Sequence, residues 1–565
     1  MPTHPVWIEP LEKRIAPAVL VNPRTVSYQD EDGDTVLVKI SKGAFNGVVG
    51  GAPDATDFIF APMGSGEILQ RIELSSDYEF QGAKITITVM QGATGDGVVN
   101  IGRINAVGID LAEVSIPGDL GRIDVGDTVA KTPGLGKLKV GTLGQFGLAS
   151  QEGGGTFVSN ITGRLGELTV ATDIDGAQIN VTGGGFGTIG KVNVGQDLLG
   201  NGTANSASII ASGSIGPVKI GRAMTAGTGS ESAFISSTGG GIASVSIGGT
   251  VAGNAGARSG AIIADLDIGP VVIGGGGDLQ GGAGDESGAI ISRHGDLVSV
   301  TIAGSLSGGS GDVTDSGVIK AEQGDVKKVV ITQDLHGGSI ATGESATNVG
   351  AILGQNIVSV LIGGNILAGT DAGDTLINSG AIRAEHQLKT LTVNGDIVGN
   401  ATHFVTLSGR GQLVPTTTAD LAIGSVKIAR GVSFANILAG VTTLGADANA
   451  DAQIGAVTVG LDFVASNIAA GVKRTDNFFG NLGDARIAGA PGADTAIISK
   501  IASVTIGGAI DGSGIMGESF GIVAEHVVKV VIGGVAVVQA VGPSNDLTPV
   551  SAGAATGDVF VLEVS

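Results

Sequence analysis

The sequence contains no cysteine, which excludes a disulfide framework and thiolate metal sites. Aromatic residues make up only 3% of the 565, too few for a core built on large rings. Positive charge is scarce: 31 Lys and Arg stand against 53 Asp and Glu, a net charge of −22. Nucleic acid and anionic membranes both demand clustered Lys and Arg, so neither is an expected partner. No apolar run reaches the roughly 18 residues of a spanning helix. The nearest, 527–542, is broken by Lys529, Gly533, Gly534 and Gly542. Amphipathic helix patterns with apolar residues at i, i+3, i+4 and i+7 are missing too.

Glycine and small apolar residues are abundant. Gly accounts for 100 residues, yet it does not recur every third position, which excludes collagen. The apolar share is 42% and the mean hydropathy +0.36, which excludes a disordered glycine linker. Many tight turns around a core of Val, Ile, Leu and Ala describe an all-β protein.

The chain repeats itself. An apolar triplet, (Ile/Leu/Val)-x-x-(Val/Leu)-x-(Ile/Val), recurs fourteen times, centred on Leu138, Leu168, Val192, Val218, Val245, Val271, Val300, Val329, Val360, Leu391, Val426, Val457, Val504 and Val530. Spacing drifts from 24 to 47 residues, so loops vary around a constant unit. In the copy at 297–325, Val300 and Ile302 share one face of a strand, while Leu297 lies three residues earlier and requires a corner. A Gly-rich turn, a second strand at 316–321 and a Gly-Asp turn complete the unit. This predicts an all-β parallel β-helix (β-solenoid) of about fifteen coils stacked at roughly 4.8 Å. The expected organisation is a leader over 1–18, a β-rich N-terminal cap domain over 19–110, the array over 111–540 and a C-terminal cap strand over 541–565.

Within the cap, segments 35–41, 57–61, 69–75 and 84–90 alternate apolar and polar residues, as half-buried antiparallel strands do. Tyr28, Phe58, Phe60, Tyr78 and Phe80 are available to seed its core.

Two resemblances bear on location. The leader residues Pro10-Leu11-Glu12-Lys13-Arg14-Ile15-Ala16-Pro17-Ala18 resemble the LEPR-XLL leader of large exported proteins of planctomycetes and verrucomicrobia. Lys13 stands where that pattern has Pro, and Ile15-Ala16-Pro17 replaces its double leucine. Segments 244–249, 359–364 and 503–508, of Ser-Val-Thr-Ile-Gly-Gly type, resemble bacterial beta strand repeat-containing proteins. The leader resemblance implies export, the repeat resemblance implies a surface or exported solenoid, and neither implies a catalytic residue.

Chemistry is sparse. Asp30, Asp32 and Asp34, with Gly33 to turn the chain, are the candidate metal ligands, with calcium as the candidate cofactor. The ninth position of such a loop, normally a carboxylate, is Val38, and the same residues also read as an acidic hairpin turn. Phe478 and Phe479 sit in the longest inter-repeat gap, as a loop packed on the coil or a candidate binding loop. The outward row after each central residue runs Lys139, Thr169, Asn193, Lys219, Ser246, Val272, Thr301, Val330, Leu361, Thr392, Lys427, Thr458, Thr505 and Val531, with no carboxylate. A second outward row, Asp265, Arg293, Glu322, Gln355 and Glu385, with Glu525 later, mixes signs as cross-strand pairs do. His294, His386 and His526 lie coils apart and cannot share a metal. Gly-Gly-Ala-Gly-Asp at 281–285 and Gly-Gly-Ser-Gly-Asp at 308–312 read as stacked corner turns rather than tandem calcium nonapeptides.

The expectation is a non-enzymatic structural or adhesive surface protein with a glycan or protein partner, no nucleic acid and no membrane span. The alternatives are a carbohydrate-active β-helix enzyme, marked by two or more carboxylates and a base on adjacent coils, and a homo-oligomeric filament or lattice subunit.

Overall fold

The computed structural model describes residues 17–152, 155–371, 375–474, 478–488, 497–550 and 558–565. Leader residues 1–16 lie outside these. The chain divides into two compact units: Met1–Gln196 with Ile209–Gly213, and Asp197–Ser208 with Ser214–Ser565. Among the described residues there is no α-helix, and none is long and apolar enough to cross a membrane. The protein is all-β, with stacked parallel ladders forming a parallel β-helix.

The first unit opens with antiparallel strands. Val19–Asn22, Thr25–Gln29, Thr35–Ile40 and Ala83–Met90 pair in that order, and Phe58–Met63 forms a hairpin with Gly66–Glu73. Their alternating patterns bury Val26, Tyr28, Val36, Val38 and Ile85 on one side. Phe45 and Phe58 meet edge to face at 4.7 Å, and Tyr28 meets Phe60 at 5.1 Å. Tyr78 does not join this aromatic core: it is 76% exposed in a short 3₁₀ turn, while Phe80 of the same turn is buried. Parallel pairing starts on these same strands. Gly66–Glu73 pairs with Asn100–Val107, and Ala83–Met90 pairs with Leu111–Ser115.

In the second unit each coil carries a long strand, a two-residue strand and a closing strand. In the coil at 297–325 these are Leu297–Ile302, Leu306–Ser307 and Val318–Ala321. Each stacks in register on its neighbours: Val271 on Val300 on Val329, Leu279 on Leu306 on Leu335, and Ile290 on Ile319 on Ile352. Every one of these residues is fully buried, at about 1.5–3 kcal/mol of apolar transfer per side chain.

Two details differ from the sequence reading. The short strand is an addition, because a two-residue strand with one inward side chain carries no periodicity to read. No corner separates Leu297 from Val300; one strand spans both. Instead the register passes from Ile268↔Leu297 to Pro270↔Ser299, omitting one residue. The pleat resets at that gap, and both apolar residues face inward.

Side chains extend the ladders around the corners. The Asp267 carboxylate accepts from the Asp296 backbone N–H, Asp296 from Asp325, and Asp325 from Asn356. At the next corner Asp334 accepts from Asn365 N–H, Asn365 from Asp396, and Asp396 from Gly431. The Gly-Gly turns stack as expected, and their Asp285 and Asp312 bond forward to Thr314 and Ser345.

The third corner is closed by serine. Ser206, Ser232, Ser259 and Ser287 each accept from the backbone N–H five residues earlier in their own coil. Ser287 also bonds Ser316 of the next coil at 3.1 Å. Left-handed residues flank these serines, such as Glu286 (φ 54°) and Gly288 (φ 55°). A Cβ on Gly288 would lie 1.9 Å from the Gln280 carbonyl, which demands glycine in that coil.

Ser287→Ala leaves the half-buried Gly282 N–H without its acceptor. It should destabilise the protein by about 0.5–1.5 kcal/mol, read as a lower denaturation midpoint. Outward Thr301→Ala should stay within about 0.5 kcal/mol.

Candidate functional site

The turn 30–34 joins strands Thr25–Gln29 and Thr35–Ile40, so the acidic hairpin is present. Within it, one oxygen from each of Asp30, Asp32 and Asp34 lies within 4.8 Å of the others. The three are not equivalent. Asp34 is fully buried, and its two oxygens accept from Gly92 and Gly97 N–H at 2.6 and 2.7 Å, which clamps the 92–97 segment. Asp32 accepts from Asp96 N–H through Oδ2 at 3.0 Å. Its Oδ1 and Glu31 Oε2 are buried without a hydrogen-bond partner.

The electrostatics follow from that arrangement. Burial pushes the Asp30 carboxyl up to about 7, helped by the Asp32 carboxylate that it faces. Burial also raises Glu31. Val38 points into the core, so the ninth position supplies no ligand. Glu31 and the backbone of the 92–97 segment complete the surroundings, a contribution from sequence about 60 residues away that no local spacing announces.

A second acidic group, Glu286, Asp315 and Glu322, also lies within 4.8 Å. Here cationic side chains already occupy the centre. Arg293 bonds Glu286 and Glu322, both at 2.5 Å, and Lys320 bridges Asp315 at 2.7 Å and Glu322 at 3.3 Å. The expected Arg293–Glu322 pair is part of this network. Glu286 and Asp315 escape the row reading because they sit at the left-handed corner ahead of the closing strand.

Further along, Lys320, Glu322, Gln355, Glu385 and Leu444 border a cavity of about 300 Å³. Arg383 lies buried beside it, bonded to Asn378 Oδ1, Ser408 Oγ and the Thr442 carbonyl. Burial pushes its guanidinium down to about 10. Glu385 is held by Arg410 at 3.2 Å and by Thr443. His386 and Arg410 border a neighbouring cavity of about 280 Å³. His294 is exposed and bonds Asp265 at 2.7 Å. Among the described residues no candidate metal group includes a histidine.

In the first unit, a cavity of about 640 Å³ is bordered by Lys139, Thr142, Gln145, Phe146 and Asp173. Asp119 at its base is 1% exposed. Burial raises its carboxyl although Thr142 Oγ1 donates to it at 2.6 Å.

Phe479 is buried among Ala469, Val472, Val523, Leu562 and Val564, while Phe478 is half-buried. Phe479 is therefore a packing residue beneath the closing strand Val559–Glu563. The outward row of the long strands is aligned as read: Lys219, Ser246, Val272, Thr301, Val330, Leu361, Thr392 and Lys427 are ladder neighbours.

No family model, curated protein or solved structure matches this chain.

Phe479→Ala should cost about 3–5 kcal/mol through the cavity it leaves, detectable as earlier melting or faster proteolysis of the last coils. A binding-loop role alone would leave both unchanged.

Proposed function

We propose that this chain is a non-enzymatic structural or adhesive β-solenoid of the cell surface. One observation carries this reading: charged side chains on the coils are engaged in holding coil to coil. Asp267, Asp296, Asp325, Asp334 and Asp396 accept backbone N–H groups of the next coil. Arg293 and Lys320 pair with Glu286, Asp315 and Glu322. The export reading is supported by the leader resemblance.

The enzyme alternative draws on the cavity that Glu322, Glu385 and Lys320 border. Both carboxylates are already tied, Glu322 to Arg293 and Lys320 and Glu385 to Arg410. General acid–base work requires a carboxyl whose proton is exchangeable at the substrate. Incubating the purified chain with a panel of neutral and acidic polysaccharides should release no reducing ends and no unsaturated products. Sustained release that Glu322→Gln or Glu385→Gln abolishes would establish the enzyme reading instead.

A calcium ion is proposed at Asp30, Asp32 and Asp34. The supporting observation is the pair of unspent buried oxygens, Asp32 Oδ1 and Glu31 Oε2. At pH 8 without added calcium, Asp30→Asn should raise the melting temperature by relieving carboxylate repulsion. Added calcium should stabilise the parent chain and stabilise Asp30→Asn less. Equal calcium response in both proteins would remove the site.

A further inference from the structure

In the second unit the corner between a long strand and its short strand carries a stacked Asp or Asn, as at Asp334, Asn365 and Asp396. In the first unit, three successive corners, at Ile116-Pro117-Gly118, Val140-Gly141-Thr142 and Ala171-Thr172-Asp173, line one cavity of about 640 Å³. Their small residues leave the floor low. A Cβ on Gly118 would lie 2.0 Å from the Val99 carbonyl, and one on Gly141 would lie 2.9 Å from the Gly118 carbonyl. The floor is therefore backbone packed against backbone.

Over this floor stands an exposed aromatic ring, Phe146, 47% accessible in a chain with very few aromatics. A buried carboxylate fixes the loop that carries it. Asp119 accepts from Gln145 N–H at 3.2 Å through Oδ1 and from Phe146 N–H at 3.4 Å through Oδ2. Burying a carboxylate is costly unless it is well hydrogen-bonded, and here its bonds go to the loop bearing the ring. Lys139 projects from the long strand Leu135–Val140 on the outward row. Thr142, Gln145 and Asp173 supply further polar groups around the rim.

We infer that this cavity is a carbohydrate subsite that takes one to three neutral pyranose units, with Phe146 as the stacking platform. A sugar ring presents an apolar C–H face and a rim of hydroxyls. An aromatic face matches the first, and Lys139, Thr142, Gln145 and Asp173 match the second. The volume lies within the range of small-molecule sites. Charge selects against acidic sugars: Asp96, Asp119 and Asp173 stand with Lys139 alone around the cavity, on a chain of net charge −22. This inference deepens the adhesive reading by naming what the surface holds. The two fail separately, because cleavage appears as released reducing ends and loss of the subsite as loss of binding.

The test is saturation-transfer NMR on the full chain with cellotriose, xylotriose, mannotriose and N,N′,N″-triacetylchitotriose, and with trigalacturonate as the charged comparison. At least one neutral trisaccharide should receive saturation. Phe146→Ala should weaken that binding tenfold or more, Phe146→Tyr should retain it, and Phe186→Ala, an exposed ring outside the cavity, should leave it unchanged. Equal melting temperatures for the four proteins separate binding from folding. Absence of transfer to every neutral trisaccharide, binding undiminished in Phe146→Ala, or preference for trigalacturonate would overturn the assignment.

Discussion

Each coil depends on the hydrogen bonds that its backbone makes to the coil before it. In straight segments the strand ladders supply these bonds automatically. At corners the chain turns away, and an N–H that faces neither a strand partner nor water is costly. Aspartate and asparagine side chains meet that need from one coil to the next, and serine hydroxyls meet it within a coil. The inward rows of Val, Ile and Leu supply most of the burial energy, but they act only if the corners hold the register.

Acidity acquires a structural meaning from this arrangement. A carboxylate makes a stronger acceptor than a neutral oxygen, so an acidic composition suits a protein that needs an acceptor at many corners. Stacked carboxylates repel one another, and local cations moderate this. Lys327 lies between Asp296 and Asp325, at 3.1 and 2.6 Å. Its neighbourhood holds the Asp325 carboxyl below its usual range against the effect of burial. The Asp30–Asp34 turn differs in kind, since two of its oxygens have no such use.

Legibility in the sequence followed periodicity. The long strands were readable because Leu297, Val300 and Ile302 repeat with fixed spacing, and the outward row they imply is aligned as expected. The short strand was hidden because Leu306–Ser307 offers one inward residue amid glycine. The gap in the ladder at Val298 reads as a corner in the sequence, although glycine marks the same place in several coils, at Gly136, Gly166, Gly190, Gly269, Gly424 and Gly455. Loops concealed more: Val313–Thr314, Ala346–Thr347 and Leu376–Ile377 stack as a further parallel sheet over Ile340 and Val349. Of the candidate sites, the carboxylate triplet was visible because it is contiguous. The Phe146 cavity was not, because its walls come from three coils and its anchor, Asp119, looks like any other turn aspartate.

The serine closure has a mechanical consequence. A coil tied to itself by its own hydroxyl and to its neighbour by parallel ladders forms a link that opens as one piece. Tension applied along the chain within the second unit would release coils one after another rather than shear them together. A coil such as 268–296, closed by Ser287 on Gly282, would then yield on the order of 100 Å of slack, while the coils still closed keep their registers. A molecule made of such links extends in steps under load, and each step dissipates work before the next coil is asked to bear the force.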